Sequence, residues 1–148
     1  MDTPSLQTKP SALAHVVSWA IMATFLILAA IGCWHAWSPV PIGDMWNGTL
    51  GFFVRAQGGD WWAWWDQHNE HRILLARIFF WMDMAWFQGK GWFLLLVNYL
   101  LMVGIGLSFL GIWRERTGGH FPLASAFLFA WVCSWIQYDN LTWGFQSQ

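Results

Sequence analysis

The chain has 148 residues, of which 57% are hydrophobic, 20% aromatic and 10% charged, against roughly 25% charged in an ordinary soluble domain. Seven Lys and Arg against eight Asp and Glu leave a net charge of -1, so there is neither a basic stripe for nucleic acid nor a polybasic run for an anionic lipid surface. Fifteen tryptophans and a mean hydropathy of +0.38 leave too little polar surface for a water-soluble globule, and predict an all-α integral membrane protein.

The first element is the uncharged run from Val16 to Trp34, which as a helix covers roughly 28 Å and matches a hydrocarbon core. It exceeds a signal-peptide core in length, and its basic flank is a lone Lys9. Ala30-Ile31-Gly32-Cys33 is a weak lipoprotein-like box, with alanine where a larger aliphatic is usual. The residues 38–91 form a long loop, within which Ile73 to Phe87 is apolar but short, about 22 Å as a helix, and carries Arg77 and Asp83. It is expected to lie in the interface as an amphipathic helix.

A second span runs from Trp92 to Trp113, with indole rings at both ends suited to the headgroup boundary. A third covers 121–138. Lys9, Arg114 and Arg116 then fall on one side, which the positive-inside rule makes cytoplasmic. This predicts three transmembrane helices in the cytoplasmic membrane, a cytoplasmic N-terminus and an extracytoplasmic loop 38–91. A four-span alternative, with 73–87 crossing, would separate Lys9 from the Arg114/Arg116 pair.

Cys33 and Cys133 both lie in apolar runs, as small buried hydrophobes do. Asn98 should face other protein rather than lipid. Trp61-Trp62-Ala63-Trp64-Trp65 reads first as a bilayer-surface anchor and second as a platform for sugar rings. Asn47-Gly48-Thr49 and Asn140-Leu141-Thr142 match the glycosylation sequon.

The polar residues concentrate on the predicted outer side. The densest string is His68-Asn69-Glu70-His71-Arg72. If helical, it pairs His68 with Arg72 and puts Glu70 on one face with Arg77. Arg72 and Arg77 suit a phosphate, since guanidinium forms forked, charge-assisted hydrogen bonds; arginines at that depth also simply snorkel. The His68/His71 spacing, with Glu70 or Asp66, is a weak divalent-metal pattern. Asp44, just outside the first span and beside Trp46, is either a desolvated general base or a solvated turn aspartate.

Together, Asp44 and Trp46, then Trp65-Asp-Gln-His-Asn-Glu-His-Arg72, then Asn140-Leu-Thr-Trp-Gly-Phe-Gln-Ser-Gln148 make the chain from Asp44 onward resemble bacterial multi-spanning membrane glycosyltransferases of the GT-C type. The resemblance implies transfer of a sugar from a polyprenyl-phosphate carrier to an acceptor hydroxyl on the outer face. Asp44 would be the catalytic base, with Glu70 the next candidate. His68, Asn69, His71, Arg72 and Arg77 would bind the carrier phosphate or substrate, with Asn140 and Gln146 lining the far wall. That fold needs about seven spans to enclose its donor, so the expectation is an N-terminal portion of a larger enzyme, inactive alone. The alternative is a small non-catalytic subunit whose spans meet partner helices through Gly104, Gly106 and Gly111. A transporter fits less well, because the spans hold no ionisable residue.

Overall fold

A computed structural model describes residues 10–68 and 72–144. Among them all regular structure is helical: α1 (Ala12–Ala36), a π-helical turn (Trp46–Gly51), α2 (Phe52–Gln57), a 3-10 turn (Trp61–Trp64), α3 (Leu74–Trp86), α4 (Trp92–Thr117), α5 (Pro122–Val132), a 3-10 turn (Trp135–Gln137) and α6 (Tyr138–Thr142). The chain divides into two compact units, one taking Met1–Ile31 with Met102–Gln137 and the other Gly32–Leu101 with Tyr138–Gln148.

Helices α1 and α4, of 25 and 26 residues, are long and apolar enough to cross a membrane. Only 22% and 33% of their most apolar windows is buried, whereas the core helix of a soluble protein would be mostly covered. Ser11 Oγ caps α1 by accepting the Ala14 N–H at 3.2 Å, the usual role of a serine before the first turn. Arg114 and Arg116 sit in the last turn of α4 rather than in a loop after it, where cations complement the helix dipole.

The expected third span is different. Its apolar run is an 11-residue helix, α5, begun by Pro122 in the first turn and ended at Val132. At roughly 16 Å it reaches about half-way across a hydrocarbon core. Ser134 breaks it: its N–H and its Oγ both turn back to the Trp131 carbonyl, at 3.2 and 2.8 Å, the local competition by which serine interrupts helices. The 3-10 turn and α6 follow.

In the first unit, α4 meets α5 at Gly106. A Cβ there would lie 2.9 Å from two ring atoms of the buried Phe129 and 3.5 Å from Cys133 Sγ. Gly106→Ala is therefore expected to lower the melting temperature in detergent, by the equivalent of about 1–3 kcal/mol for overpacking. Gly111→Ala, where a Cβ meets nothing within 4 Å, should melt at or above the parent, since alanine is the better helix former. Equal melting of the two variants would show that this contact carries no stability.

In the second unit, Phe52, Ala63, Ile73, Ala76, Phe80 and Leu94 form a buried apolar cluster, flanked by Met45, Trp64, Phe93 and Trp143. Burying Phe80 and Leu94 completely contributes about 1.5–3 kcal/mol each. Polar ties surround it. Trp37 Nε1–H donates to the Lys90 carbonyl at 2.8 Å, and Cys33 Sγ lies 3.7 Å from the Leu141 carbonyl. Both cysteines are buried and unpaired. Asn98, buried as its span position requires, donates Nδ2–H to the Trp143 carbonyl at 2.9 Å.

Candidate functional site: a buried arginine on α3

Helix α3 has the apolar composition expected of an interfacial helix, but its faces are reversed relative to a helix in water. Ala76, Arg77, Phe80 and Asp83 are buried. Leu75, Ile78 and Trp86 are exposed by 64%, 42% and 62%. Both of its charges thus point into protein while leucine, isoleucine and tryptophan face out. Ionisable residues within a membrane layer adopt this arrangement, since a charge facing hydrocarbon is costly.

Arg77 is 5% exposed. Its guanidinium carbon lies 5.5 Å above the Phe52 ring, a cation–π contact. Its Nε and Nη1 are buried without a hydrogen-bond partner. Burial pushes its pKa below the ordinary arginine value, with Asp66 opposing that shift and Arg55 adding to it; arginine stays charged nonetheless. A cavity of about 280 Å³ adjoins it, lined among others by Asn47, Phe52, Arg55, Asp66, His68 and Arg77.

Arg55, at the end of α2, organises the opposite wall. It donates Nε–H and Nη2–H to Asp60 Oδ2 at 2.9 and 2.6 Å, and Nη1–H to Asp66 Oδ2 at 2.5 Å. The hydrogen bond from Arg55 is the main reason the Asp60 carboxyl sits below its ordinary range, and the same bond raises Arg55. Asp60 also accepts the Trp62 N–H at 3.1 Å, capping the 3-10 turn. Within that turn the tryptophans separate. Trp64 packs edge-on against Phe52, ring centroids 4.9 Å apart, while Trp61 and Trp62 are 79% and 76% exposed.

These contacts bear on the described ends of the His68–Arg72 string, His68 and Arg72. Asp66 is drawn back to Arg55, His68 is not helical, and α3 starts only after Ile73, its N-cap. Neither His68 nor Arg72 is helical, so their pairing on one helix face is not formed, and the expected pairing of Glu70 with Arg77 falls on a residue outside the described ones. Asn69, Glu70, His71 and Gln146 lie outside the described residues. Arg72 is exposed just before α3, and Asn140 is exposed on α6. Neither lines the Arg77 cavity.

Asp44 is exposed on the turn before the π-helical segment, where its carbonyl accepts the Gly48 N–H at 2.7 Å. Trp46 beside it is 52% exposed. The cavity brings together three of the expected residues, Asp66, His68 and Arg77, with two that the sequence did not assign to the phosphate or metal reading, Arg55 and Asn47. Arg55 had a signal: a lone cation in an otherwise apolar stretch, followed by Asp60 and Asp66. No group of three or more His, Cys, Asp or Glu among the described residues is arranged to hold a metal ion.

Comparison with protein-family models, with curated proteins and with solved structures returns no match.

Proposed function

We propose that this protein is an integral membrane protein whose Arg77 cavity receives the phosphate of a polyprenyl-linked sugar, and that it serves sugar transfer to an acceptor hydroxyl in the manner of the GT-C glycosyltransferases it resembles. The observation that carries the reading is the Arg77 guanidinium, buried, charged and short of hydrogen-bond acceptors on Nε and Nη1. A phosphoryl oxygen supplies the missing acceptors and the missing negative charge together. Asn47 and His68 line the same cavity and offer further polar contacts.

The reversed faces of α3 and the exposed Trp61 and Trp62 support a position at the bilayer surface, where a lipid carrier presents its headgroup. In this reading Asp44 takes the proton from the acceptor hydroxyl as its oxygen bonds to the anomeric carbon of the sugar, while the bond from that carbon to the carrier phosphate breaks and polyprenyl phosphate leaves. Its side chain lies outside the Arg77 cavity, so binding and transfer separate experimentally. Asp44→Asn should bind polyprenyl phosphate like the parent and abolish sugar transfer, measured in membranes that contain the complete transfer system. Loss of carrier binding in Asp44→Asn, or full transfer by it, would overturn the base assignment.

Topology has its own test. With the N-terminus inside and 38–91 outside, a cysteine introduced at position 58 reacts with an impermeant maleimide in intact cells and one at position 117 does so only after permeabilisation.

Gly104 and Gly111, seven residues apart on one face of α4 with open space where a Cβ would stand, favour a second reading as a non-catalytic subunit that packs against a partner helix. It predicts that Gly111→Leu releases a co-purifying membrane protein and leaves polyprenyl-phosphate binding untouched.

A further inference from the structure

The first unit contains a second cavity, of about 560 Å³. The start of α1 contributes His15, Ser18 and Trp19, the end of α4 contributes Trp113 and Arg114, and the turn into α5 contributes His120. This is the end of both long helices at which the predicted cytoplasmic cations lie.

Its chemistry is one-sided. Arg114 lies with its guanidinium carbon 5.8 Å from the centre of the Trp19 ring, and no ion pair among the described residues includes it. No carboxylate lines the cavity; Glu115, next in sequence, is not among the wall residues. Trp113 Nε1 is buried and has no acceptor, although an indole N–H has no other polar role than to donate. The hydroxyls are already committed: Ser18 Oγ to the Ala14 carbonyl at 2.7 Å and Ser125 Oγ to the Pro122 carbonyl at 2.7 Å. His120 Nδ1, 2.7 Å from the Thr117 carbonyl, must carry the proton of that contact, because a carbonyl only accepts. That leaves Nε2 as the ring atom available to a ligand.

We propose that this cavity binds a phosphoryl group, with Arg114 as its charged ligand and Trp113 Nε1–H as a supporting donor. The site asks for an acceptor-rich anion: it offers a guanidinium and an unused N–H donor, opposes no negative charge to them, and has its serine hydroxyls tied to backbone. An exposed arginine at a membrane surface is usually paired with water or a headgroup. Here the Trp19 face holds it in place beside a cavity wall, reducing the freedom lost on binding. Two sources present that chemistry at this position, the headgroup of an anionic phospholipid and free phosphate. The site shares no residue with the Arg77 cavity, so it stands independently of the function proposed above.

The test uses the full chain in a zwitterionic detergent, titrated separately with short-chain phosphatidylglycerol, short-chain phosphatidylcholine and inorganic phosphate, and read by microscale thermophoresis. Phosphatidylglycerol binding that weakens at least tenfold in Arg114→Gln, survives in Arg114→Lys and Arg77→Met, and weakens severalfold in Trp113→Phe supports a lipid-headgroup site. Displacement by inorganic phosphate at a similar concentration supports the site with free phosphate as its source. Binding unchanged in Arg114→Gln, phosphatidylcholine binding as tight as phosphatidylglycerol, or no binding of either anion overturns the proposal. Circular dichroism and melting of Arg114→Gln, with Arg114→Lys as the charge-retaining control, separate lost binding from lost folding.

Discussion

Replacing Arg77 by methionine is expected to raise the melting temperature in detergent while weakening polyprenyl-phosphate binding at least tenfold. The two effects have one cause. With Arg77 5% exposed and its Nε and Nη1 buried without hydrogen bonds, those two groups have given up hydration without recovering it from protein. The effective desolvation penalty of such an ion is several kcal/mol. What offsets it is the cation–π contact with Phe52, worth about 0.5–2 kcal/mol, and attraction to Asp66. Methionine keeps the length and most of the volume, and its thioether also packs on aromatic rings. A net gain of about 1–3 kcal/mol follows, within the range seen when buried ions are replaced by apolar residues.

Arg77→Ala is the informative companion. It removes the same charge but leaves a void beside Phe52, so it should melt below the methionine variant by the cavity cost of about 2 kcal/mol or more. Arg77→Lys retains charge without the fork, and should bind polyprenyl phosphate more weakly than the parent but better than methionine. If Arg77→Met instead melts several degrees lower than the parent, Arg77 is a structural tie and the ligand role falls. Binding that is unaffected in all three variants would sink that role even with the melting temperatures as expected.

The second large effect concerns Asp83, the other charge turned inward on α3. It is 2% exposed; Oδ2 accepts the Gly91 N–H at 3.1 Å and Oδ1 has no partner. Its backbone carbonyl also accepts from Phe87 and Gly89. One residue thereby holds both ends of the 87–91 turn, in which Gln88, Gly89 and Gly91 all have positive φ. Burial raises its carboxyl to about 6, with the Gly91 hydrogen bond pulling the other way.

The sign of the linkage follows from that direction. Raised above its unfolded value of about 3.9, the group binds a proton more tightly in the folded chain, so its contribution is complete below about pH 4 and is lost as the pH climbs through about 6. The shift corresponds to a change on the order of 3 kcal/mol between those limits. Asp83→Asn, which cannot ionise, should remove that part of the dependence. Comparing parent and variant melting at pH 4.5, 5.5, 6.5 and 7.5 isolates it from the other carboxylates. Parallel curves would show that Asp83 titrates normally. Asp83→Ala, which leaves the Gly91 N–H unsatisfied, should cost about 1–3 kcal/mol.

Much of the secondary structure is legible in the residues. The uncharged runs beginning near Val16 and Trp92 are helices that extend the expected spans, to Ala12–Ala36 and Trp92–Thr117, since long apolar periodicity admits few alternatives. The segment expected to be helical over 73–87 is helical from Leu74 to Trp86. The helix in the third run is shorter than its hydropathy implies for a local reason: Ser134 directs two hydrogen bonds to Trp131, and hydropathy does not register that competition.

The site was less legible. Arg77 stands out as a cation in an apolar stretch, yet snorkelling outward and turning inward have the same composition. What decides between them is the register of α3 against Phe52 and Ala63, which sets Ala76, Arg77, Phe80 and Asp83 on the buried face. The dense His68–Arg72 string reads by composition as a helix leading into α3, yet His68 and Arg72 are not helical. Ahead of that string Arg55 holds Asp60 and Asp66, and pairings across five and eleven residues cannot be read from helical spacing.

By itself the sequence determined a helical chain with two segments able to cross a bilayer and a polar, tryptophan-rich stretch between them, because those follow from composition and period. Only the tertiary structure decided that both charges of α3 face inward and that Arg55 and Asn47 share a cavity with Arg77. Those outcomes depend on which faces pack together, and a residue's burial is a property of its neighbours in space rather than of its neighbours in the chain.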